Sequence, residues 1–150
     1  MSGLRVAMRA DASRTLGSGH VMRCLTLAEV LRARGATVQF ICRPDHGHLG
    51  ARITGQGFGL HWLPDTAIWH ADADAQHTLA ALGPNGCDVL LVDHYALGAA
   101  WQATLRPACR RLVAIDDLAD RPHAADLLLD QNLGRQPGDY AALLPAAATA

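Results

Sequence analysis

The sequence predicts an α/β protein with three layers, in which helices cover both faces of a mostly parallel sheet. Short apolar runs alternate with helical patterns along the whole chain, an alternation typical of βαβ units. The run at residues 89–93 is apolar up to its final aspartate, as expected for a strand buried on both faces. The chain has 150 residues, which is enough for one domain around one core.

Each element is predicted from its own local pattern. The first helix carries an apolar stripe at helical spacing and ends at Gly35. The third helix begins near Asp72 or Asp74, where a carboxylate favours the helix dipole, and a Gly-Pro-Asn-Gly turn follows it. The predicted strands are residues 4–8, 37–42, 60–63, 89–93, 112–115 and 127–129, and the predicted helices are 21–34, 49–54, 72–82 and 99–109.

Composition and charge exclude several classes of function. The chain has 13 basic and 14 acidic residues and a net charge of −1, so it lacks the clustered basic surface of a nucleic-acid-binding protein. Every basic residue is arginine, which excludes Schiff-base chemistry and a P-loop lysine. We expect an ordinary globular domain that binds no nucleic acid.

The sequence also bears on the compartment. It contains no run of about 18 apolar residues, and its first residues lack the pattern of a signal peptide. The four cysteines show no CxxC or CxxH spacing, so we interpret them as reduced thiols, mostly buried. These features predict a cytoplasmic protein that does not bind a membrane.

Candidate site residues follow the strands, because ligands of open parallel sheets bind at the carboxyl ends of the strands. The clearest cluster is the turn Gly17-Ser18-Gly19-His20 between the first strand and the first helix. Gly17 and Gly19 permit positive φ and close approach of a ligand, and the helix start offers free N–H groups. The positive end of the helix dipole favours a neutral imidazole, which suits His20 as a general base. A turn whose histidine only caps or packs is the alternative.

Two other clusters could in principle hold a metal ion. His46 and His48 are two residues apart on a loop, but only Asp45 stands beside them, so a third firm ligand is missing. Asp116 and Asp117 resemble a pair that holds a divalent cation, although bonds to Arg121 or to a helix start are the favoured alternative. We predict no metal and no cofactor, and the roles of Asp116 and Asp117 stay open.

Several motifs, taken in order, resemble those of the bacterial UDP-sugar hydrolases of pseudaminic acid biosynthesis. These enzymes are relatives of the GT-B glycosyltransferases, which include the lipid II N-acetylglucosaminyltransferase. The match runs from Arg5 to about Tyr140, and its first motif, RxDAS followed by GxGHxMRC, is the most specific. The residues that carry it are Arg9-Ala10-Asp11-Ala12-Ser13, residues 16–25, Val92-Asp93-His94-Tyr95, residues 115–121 and Leu129-Asp130-Gln131-Asn132.

The resemblance implies a Rossmann-like domain and a reaction. That reaction is hydrolysis of UDP-2,4-diacetamido-2,4,6-trideoxy-β-L-altropyranose by water attack at the anomeric carbon, with inversion and without a metal. The family's catalytic histidine falls on His20 and its aromatic active-site residue on Tyr95. We further expect Gly17 and Gly19 at the substrate, together with three polar residues whose bracing of loops is an equal alternative: Asp11, Asp93 and Asn132.

The resemblance also implies a second domain. GT-B proteins have two Rossmann-like domains, of which the C-terminal one grips most of the nucleotide, and residues 1–150 correspond to the N-terminal one. We therefore expect a fragment of a protein about twice as long, inactive by itself and able to form a homodimer. Two alternatives remain: the acceptor domain of a GT-B glycosyltransferase, in which His20 deprotonates a sugar hydroxyl, and a binding module without catalysis.

Overall fold

A computed structural model describes residues 3–150, which form one six-stranded sheet with helices on both sides. The three-layer α/β prediction is confirmed, and the fold is Rossmann-like. Two short 3₁₀ turns, Arg106–Ala108 and Pro137–Tyr140, accompany the regular elements. The elements in chain order are β1 (Arg5–Ala10), α1 (Gly19–Ala33), β2 (Thr37–Cys42), α2 (Gly50–Gly55), β3 (Gly59–Trp62), α3 (Ala71–Leu82), β4 (Cys87–Asp93), α4 (Ala99–Leu105), β5 (Cys109–Ile115) and β6 (Leu127–Leu129).

The strand order is β3-β2-β1-β4-β5-β6, and all five strand pairings are parallel. The chain winds outward from β1 to β3 and then returns to place β4 on the other side of β1. A crevice opens at the carboxyl ends of β1 and β4, because the connections that follow these two strands leave in opposite directions. Ala10 and Asp93 are paired at that point, so the residues that follow β1 and those that end β4 meet there.

Successive residues of a strand face opposite sides of the sheet, and this alternation defines two cores. The side that carries α1 and α2 buries Val6, Met8, Ala10 and Leu91. The side that carries α3 and α4 buries Ala7, Leu90, Val92, Trp101 and Leu105. The direction of each polar residue at a strand end therefore follows from its place in the alternation.

The observed boundaries differ from prediction mainly around β5. The helix predicted at residues 99–109 ends at Leu105, because a 3₁₀ turn containing Pro107 follows it. β5 then begins at Cys109, three residues earlier than predicted, and Cys109 pairs with Cys87. The prediction began the strand at Leu112 because it relied on apolar residues, and the two residues before Leu112, Arg110 and Arg111, are charged and exposed. None of the helices among residues 3–150 is long and apolar enough to cross a bilayer.

Candidate active site

His20 lies at the start of α1 and faces the carboxyl end of β4. The residue is 6% exposed, and its Nδ1 lies 2.6 Å from Oδ1 of Asp93. Asp93 is fully buried and belongs to the same side of the sheet as Leu91, the side on which α1 packs. A carboxylate that accepts from Nδ1 fixes the orientation of the imidazole ring.

The bond to Asp93 also determines which ring nitrogen can act as a base. Because a carboxylate only accepts, the proton of the neutral ring lies on Nδ1, and Nε2 keeps its lone pair. The hydrogen bonds of residues 3–150 leave Nε2 of His20 without a partner, and this atom is not among the enclosed unpartnered side-chain atoms. His20 therefore presents an acceptor nitrogen to solvent at the crevice.

Arg23, one turn further along α1, binds both carboxylate oxygens of Asp93, including the Oδ1 that His20 contacts. Its Nη2 donates to Oδ1 of Asp93 at 2.5 Å, and its Nε donates to Oδ2. Its position three residues after His20 places both side chains on one helix face. These bonds to Asp93 raise the pKa of Arg23 above its usual value despite partial burial.

Tyr95 forms the outer wall of the site. Its ring meets the His20 ring edge to face, with 4.6 Å between the ring centres. The phenol is 41% exposed and donates to Oδ2 of Asp117 at 3.1 Å. Burial and the bond to Asp117 raise the pKa of Tyr95, so the phenol keeps its proton at neutral pH.

Asp117 is a site residue that the sequence analysis did not assign. The same Oδ2 that accepts from Tyr95 lies 3.4 Å from Nη1 of Arg23. Asn132 donates its side-chain amide to the main-chain oxygen of Asp117 at 2.8 Å, which brings the loop after β6 to the same place. Asp117 directly follows Asp116 after β5, and successive residues of a strand face opposite sides of the sheet. This alternation is the sequence signal that could have assigned the two aspartates to different sides.

Asp116 has the structural role that the sequence analysis favoured. It is buried on the side of α3 and α4 and accepts from Arg121 at 2.8 Å and from the Tyr140 hydroxyl at 3.0 Å. His46 and His48 lie exposed on their loop. Among residues 3–150, no three His, Cys, Asp or Glu side chains are grouped so that they could hold a metal ion.

Asp11 belongs to a buried charge network and makes no contact with His20. It lies on the side of the sheet that carries α3, since Ala7, Arg9 and Asp11 alternate with residues that face α1. Arg9, with no exposed surface, donates to Asp11 at 2.7 and 2.9 Å and to Asp74 at 3.1 and 2.6 Å. The orientation of Asp11 therefore supports a role in holding the loops more than contact with a substrate.

Two further donors complete the shell of Asp11. The main-chain N–H of Arg43 donates to Oδ1 at 2.8 Å, and Nε2 of His94 lies 3.1 Å from Oδ2. Burial opposes the charge of Asp11, but the His94 bond and the Arg9 guanidinium outweigh it and lower the pKa of Asp11 well below its usual range. The network thus holds the loops after β1, β2 and β4 in one arrangement.

Three consecutive residues at the end of β4 reach three different parts of the fold. Asp93 holds His20, His94 holds Asp11, and Tyr95 holds Asp117. The alternation of the strand sends Asp93 and His94 to opposite sides of the sheet. The Asp-His-Tyr motif therefore acts as a joint that connects His20, Asp11 and Asp117.

The two glycines of the first turn differ in conformation. Gly17 has φ 78°, in the left-handed region that favours glycine, whereas Gly19 is outside that region. A Cβ on either glycine would meet no protein atom within 4 Å, so this turn is open toward the crevice. Ser18 precedes α1 without a side-chain capping bond, which leaves the first N–H groups of the helix available.

The chain is similar to one curated bacterial enzyme. It is 25% identical over 143 residues to the UDP-2,4-diacetamido-2,4,6-trideoxy-beta-L-altropyranose hydrolase of Campylobacter jejuni subsp. jejuni serotype O:2, strain ATCC 700819 / NCTC 11168. The alignment covers 95% of this chain and 47% of that protein, so the chain spans about half the length of this relative. No protein-family model matches the chain.

Proposed function

We propose that this chain is the water-activating domain of a nucleotide-sugar hydrolase, corresponding to the N-terminal half of a two-domain GT-B protein. The observation that carries the proposal is the His20–Asp93 pair, with a free imidazole nitrogen at the crevice between β1 and β4. The similarity to the Campylobacter hydrolase supplies the class of substrate, a UDP-linked diacetamido sugar. The unpartnered Nε2 of His20, on a ring held by Asp93, agrees with base catalysis.

The proposed reaction is a single inverting displacement. A water molecule bound at Nε2 of His20 attacks the anomeric carbon as Nε2 takes one of its protons. The new bond joins the water oxygen to the anomeric carbon, and the bond from that carbon to the UDP oxygen breaks, its electron pair leaving with UDP. Asp93 stabilises the imidazolium that forms, in the same way as the carboxylate of a catalytic triad.

The other residues of the site have supporting roles in this proposal. Arg23 holds both oxygens of Asp93, so that the carboxylate cannot turn away from His20. Tyr95 confines the imidazole from the outer side, and its phenol is held by Asp117. The open amides at the start of α1 and the turn at Gly17 and Gly19 favour the negative charge that develops on the departing diphosphate.

An isotope experiment tests the reaction directly. The longer protein that contains this chain is incubated with UDP-2,4-diacetamido-2,4,6-trideoxy-β-L-altropyranose in H₂¹⁸O, with no acceptor added. We expect UDP and free sugar, with the label on the anomeric hydroxyl of the sugar and with inverted configuration in the first product seen by NMR.

Each other outcome has a clear meaning. Label in the phosphate would place water attack at phosphorus and contradict the proposed role of His20. UDP release only when an acceptor sugar is present would favour a glycosyltransferase acceptor domain. No turnover in either case would favour a binding module. We expect the 150-residue chain by itself to release no UDP, because it offers one wall of the proposed cleft.

A further inference from the structure

A second recess opens on the side of β2, and the residues on either side of Tyr95 in the chain line it. It is an open cleft of about 760 Å³, between the loops that follow β1 and β2 and the loop that follows β4. This volume lies within the usual range for small-molecule sites, about 300–1,000 Å³. Its lining includes Ser13, Arg43, His46, Trp69, His94 and Ala96.

The cleft is next to the site of the proposed chemistry. His94 and Ala96, which line it, flank Tyr95, and the ring of Tyr95 touches that of His20. In the proposed reaction the group beside His20 is the anomeric carbon, so the part of the substrate that extends toward β2 is either the sugar ring or the diphosphate. The chemistry of the lining decides between them.

Trp69 provides a fixed aromatic wall. Its indole Nε1 donates to Oδ2 of Asp74 at 3.0 Å, and its ring stacks near that of His94, with 5.9 Å between centres and 19° between planes. Because Asp74 is itself held by Arg9, the indole cannot rotate without breaking a buried network. Rigid aromatic surfaces beside a few placed polar groups are typical of sites for small ligands.

His94 contributes its ring to the floor of the cleft. Nδ1 of His94 accepts the main-chain N–H of Ala96 at 3.0 Å, and Nε2 lies 3.1 Å from Oδ2 of Asp11. The floor therefore offers a histidine ring that is held at both nitrogens, beside the hydroxyl of Ser13.

The nearest fixed cation of the wall is already paired. The Arg43 guanidinium lies 3.5 Å from a carboxylate oxygen of Asp45 and 5.6 Å from the centre of the Trp69 ring. Arg14 also lines the cleft, with its side chain exposed. The main-chain N–H of Arg14 donates to the His46 carbonyl at 2.9 Å, which ties the two outer loops together. The indole face of Trp69 beside the paired Arg43 suits a polar ring, and the test below includes phosphate as the alternative ligand.

We infer that this cleft binds the sugar ring of the nucleotide sugar, with Trp69 and Arg43 as specificity-determining residues. The inference rests on the proposed function for the identity of the ligand and on the cleft for its position. The apolar face of a pyranose and its acyl methyl groups pack on the indole, and ring hydroxyl or amide oxygens accept from Arg43.

The first test measures binding to the 150-residue chain and needs no catalysis. The ¹⁵N-labelled protein is titrated separately with free 2,4-diacetamido-2,4,6-trideoxy-L-altropyranose, UDP and inorganic phosphate, each at about 1–20 mM. The indole N–H signal of Trp69, assigned through Trp69→Phe, is expected to shift with the sugar and not with phosphate. The indole of Trp62, which lies outside the cleft, serves as the internal control.

The second test measures kinetics in the longer protein. Trp69→Phe and Arg43→Met are each expected to raise KM for the UDP-sugar by about tenfold or more, with a smaller effect on kcat. Trp101→Phe is the matched control, since the Trp101 indole also donates to Asp74 at 3.0 Å but does not line the cleft. Its KM is expected to stay within about twofold of the parent.

The outcomes separate this inference from the proposed function. Sugar-induced shifts at Trp69 without any UDP-sugar hydrolysis would support the cleft and contradict the reaction. Hydrolysis with an unchanged KM in both cleft variants, or shifts caused by phosphate and not by the sugar, would overturn the cleft assignment and leave the reaction intact. An equal rise of KM in Trp101→Phe would show that the effect comes from the Asp74 network, and it would also overturn the cleft assignment.

Discussion

The carboxylate of Asp93 and the Nδ1 of His20 are 2.6 Å apart, although the two residues are separated by 73 positions in the chain. One ends β4 and the other begins α1 after β1, and these strands are neighbours at the switch of the winding direction. Asp93 is fully buried, whereas His20 keeps one unpartnered nitrogen at the crevice. This pairing is the basis of the first two predictions.

Removal of the proposed base should abolish most turnover and leave nucleotide binding intact. We expect His20→Asn in the proposed two-domain protein to lower kcat for UDP-sugar hydrolysis by at least about a hundredfold, since a positioned base contributes about 10²–10⁴. The Kd for UDP, measured by calorimetry, should remain within about twofold. Equal rates for the variant and the parent would exclude His20 as the base.

Neutralising the partner of His20 should reverse the imidazole tautomer. In Asp93→Asn the new amide can donate to Nδ1, which moves the ring proton to Nε2 and removes the acceptor that water needs. We expect kcat to fall by about 10²–10⁴. The ¹⁵N shifts of the His20 ring should show Nδ1 protonated in the parent and Nε2 protonated in the variant, and an unchanged tautomer would contradict this explanation.

The contact between Tyr95 and His20 predicts a graded effect. Tyr95→Phe keeps the edge-to-face contact and loses the bond to Asp117, so we expect kcat to fall by about threefold to tenfold. Tyr95→Ala also removes the wall beside the imidazole and should cost about tenfold more. The thermal unfolding temperature of both variants, measured in parallel, separates loss of activity from loss of structure. Identical rates for Phe and Ala would show that the ring contact is irrelevant.

The buried network predicts a large loss of stability when its cation is removed. Arg9→Met leaves Asp11 and Asp74 buried side by side without the guanidinium that joins them. We expect the free energy of unfolding to fall by about 3–5 kcal/mol, measured by urea denaturation. Arg110→Met, at a side chain that is 84% exposed, is the control and should change it by less than about 0.5 kcal/mol. A loss of similar size in both variants would contradict the role of Arg9.

The same network predicts the direction of acid unfolding. Burial raises the pKa of Asp74, but the bonds from Arg9 outweigh it, and the pKa values of both Asp11 and Asp74 lie below the unfolded value of about 3.9. A depressed folded-state pKa contributes stability above the unfolded pKa, and that stability is lost as pH falls further. Urea denaturation should therefore show constant contributions from these groups between about pH 5 and 8 and a decline below about pH 4.

A variant isolates the part of this acid dependence that Asp11 contributes. Asp11→Asn should be less stable at neutral pH and should lose less stability on acidification than the parent. Asp65→Asn, at an exposed loop carboxylate, should follow the parent curve. If the free energy of unfolding of Asp11→Asn and of the parent changed with pH in parallel, Asp11 would make no contribution to the acid response.

Much of the fold was predictable because it depends on short-range patterns. The alternation of apolar runs and helical stripes identified six strands and four helices, and the buried run that became β4 was the clearest. The start of β5 was wrong by three residues, because Arg110 and Arg111 hide the strand from a test based on apolar residues. Edge and end residues of a strand pair by backbone bonds, which carry little sequence signal.

The site was partly predictable for a different reason. The rule that ligands bind at the carboxyl ends of strands pointed to His20, the family resemblance added Tyr95 and Asp93, and the structure brings these three together. Whether each acts on a substrate stays a prediction. Asp11 was grouped with them by its position, but alternation along β1 turns it to the opposite side of the sheet. Asp117 was not assigned because its contacts come from residues distant in the chain.

The Asp-His-Tyr joint at the end of β4 has a consequence for how this domain can diverge. A substitution at one of the three residues loses one contact, whereas insertion or deletion of a single residue within β4 exchanges the faces of Asp93 and His94 and uncouples all three contacts at once. Length change within this strand should therefore be far rarer among functional descendants than exchange of its side chains. Variation in length is expected to collect in the outer loops, where the chain can absorb it without moving the joint.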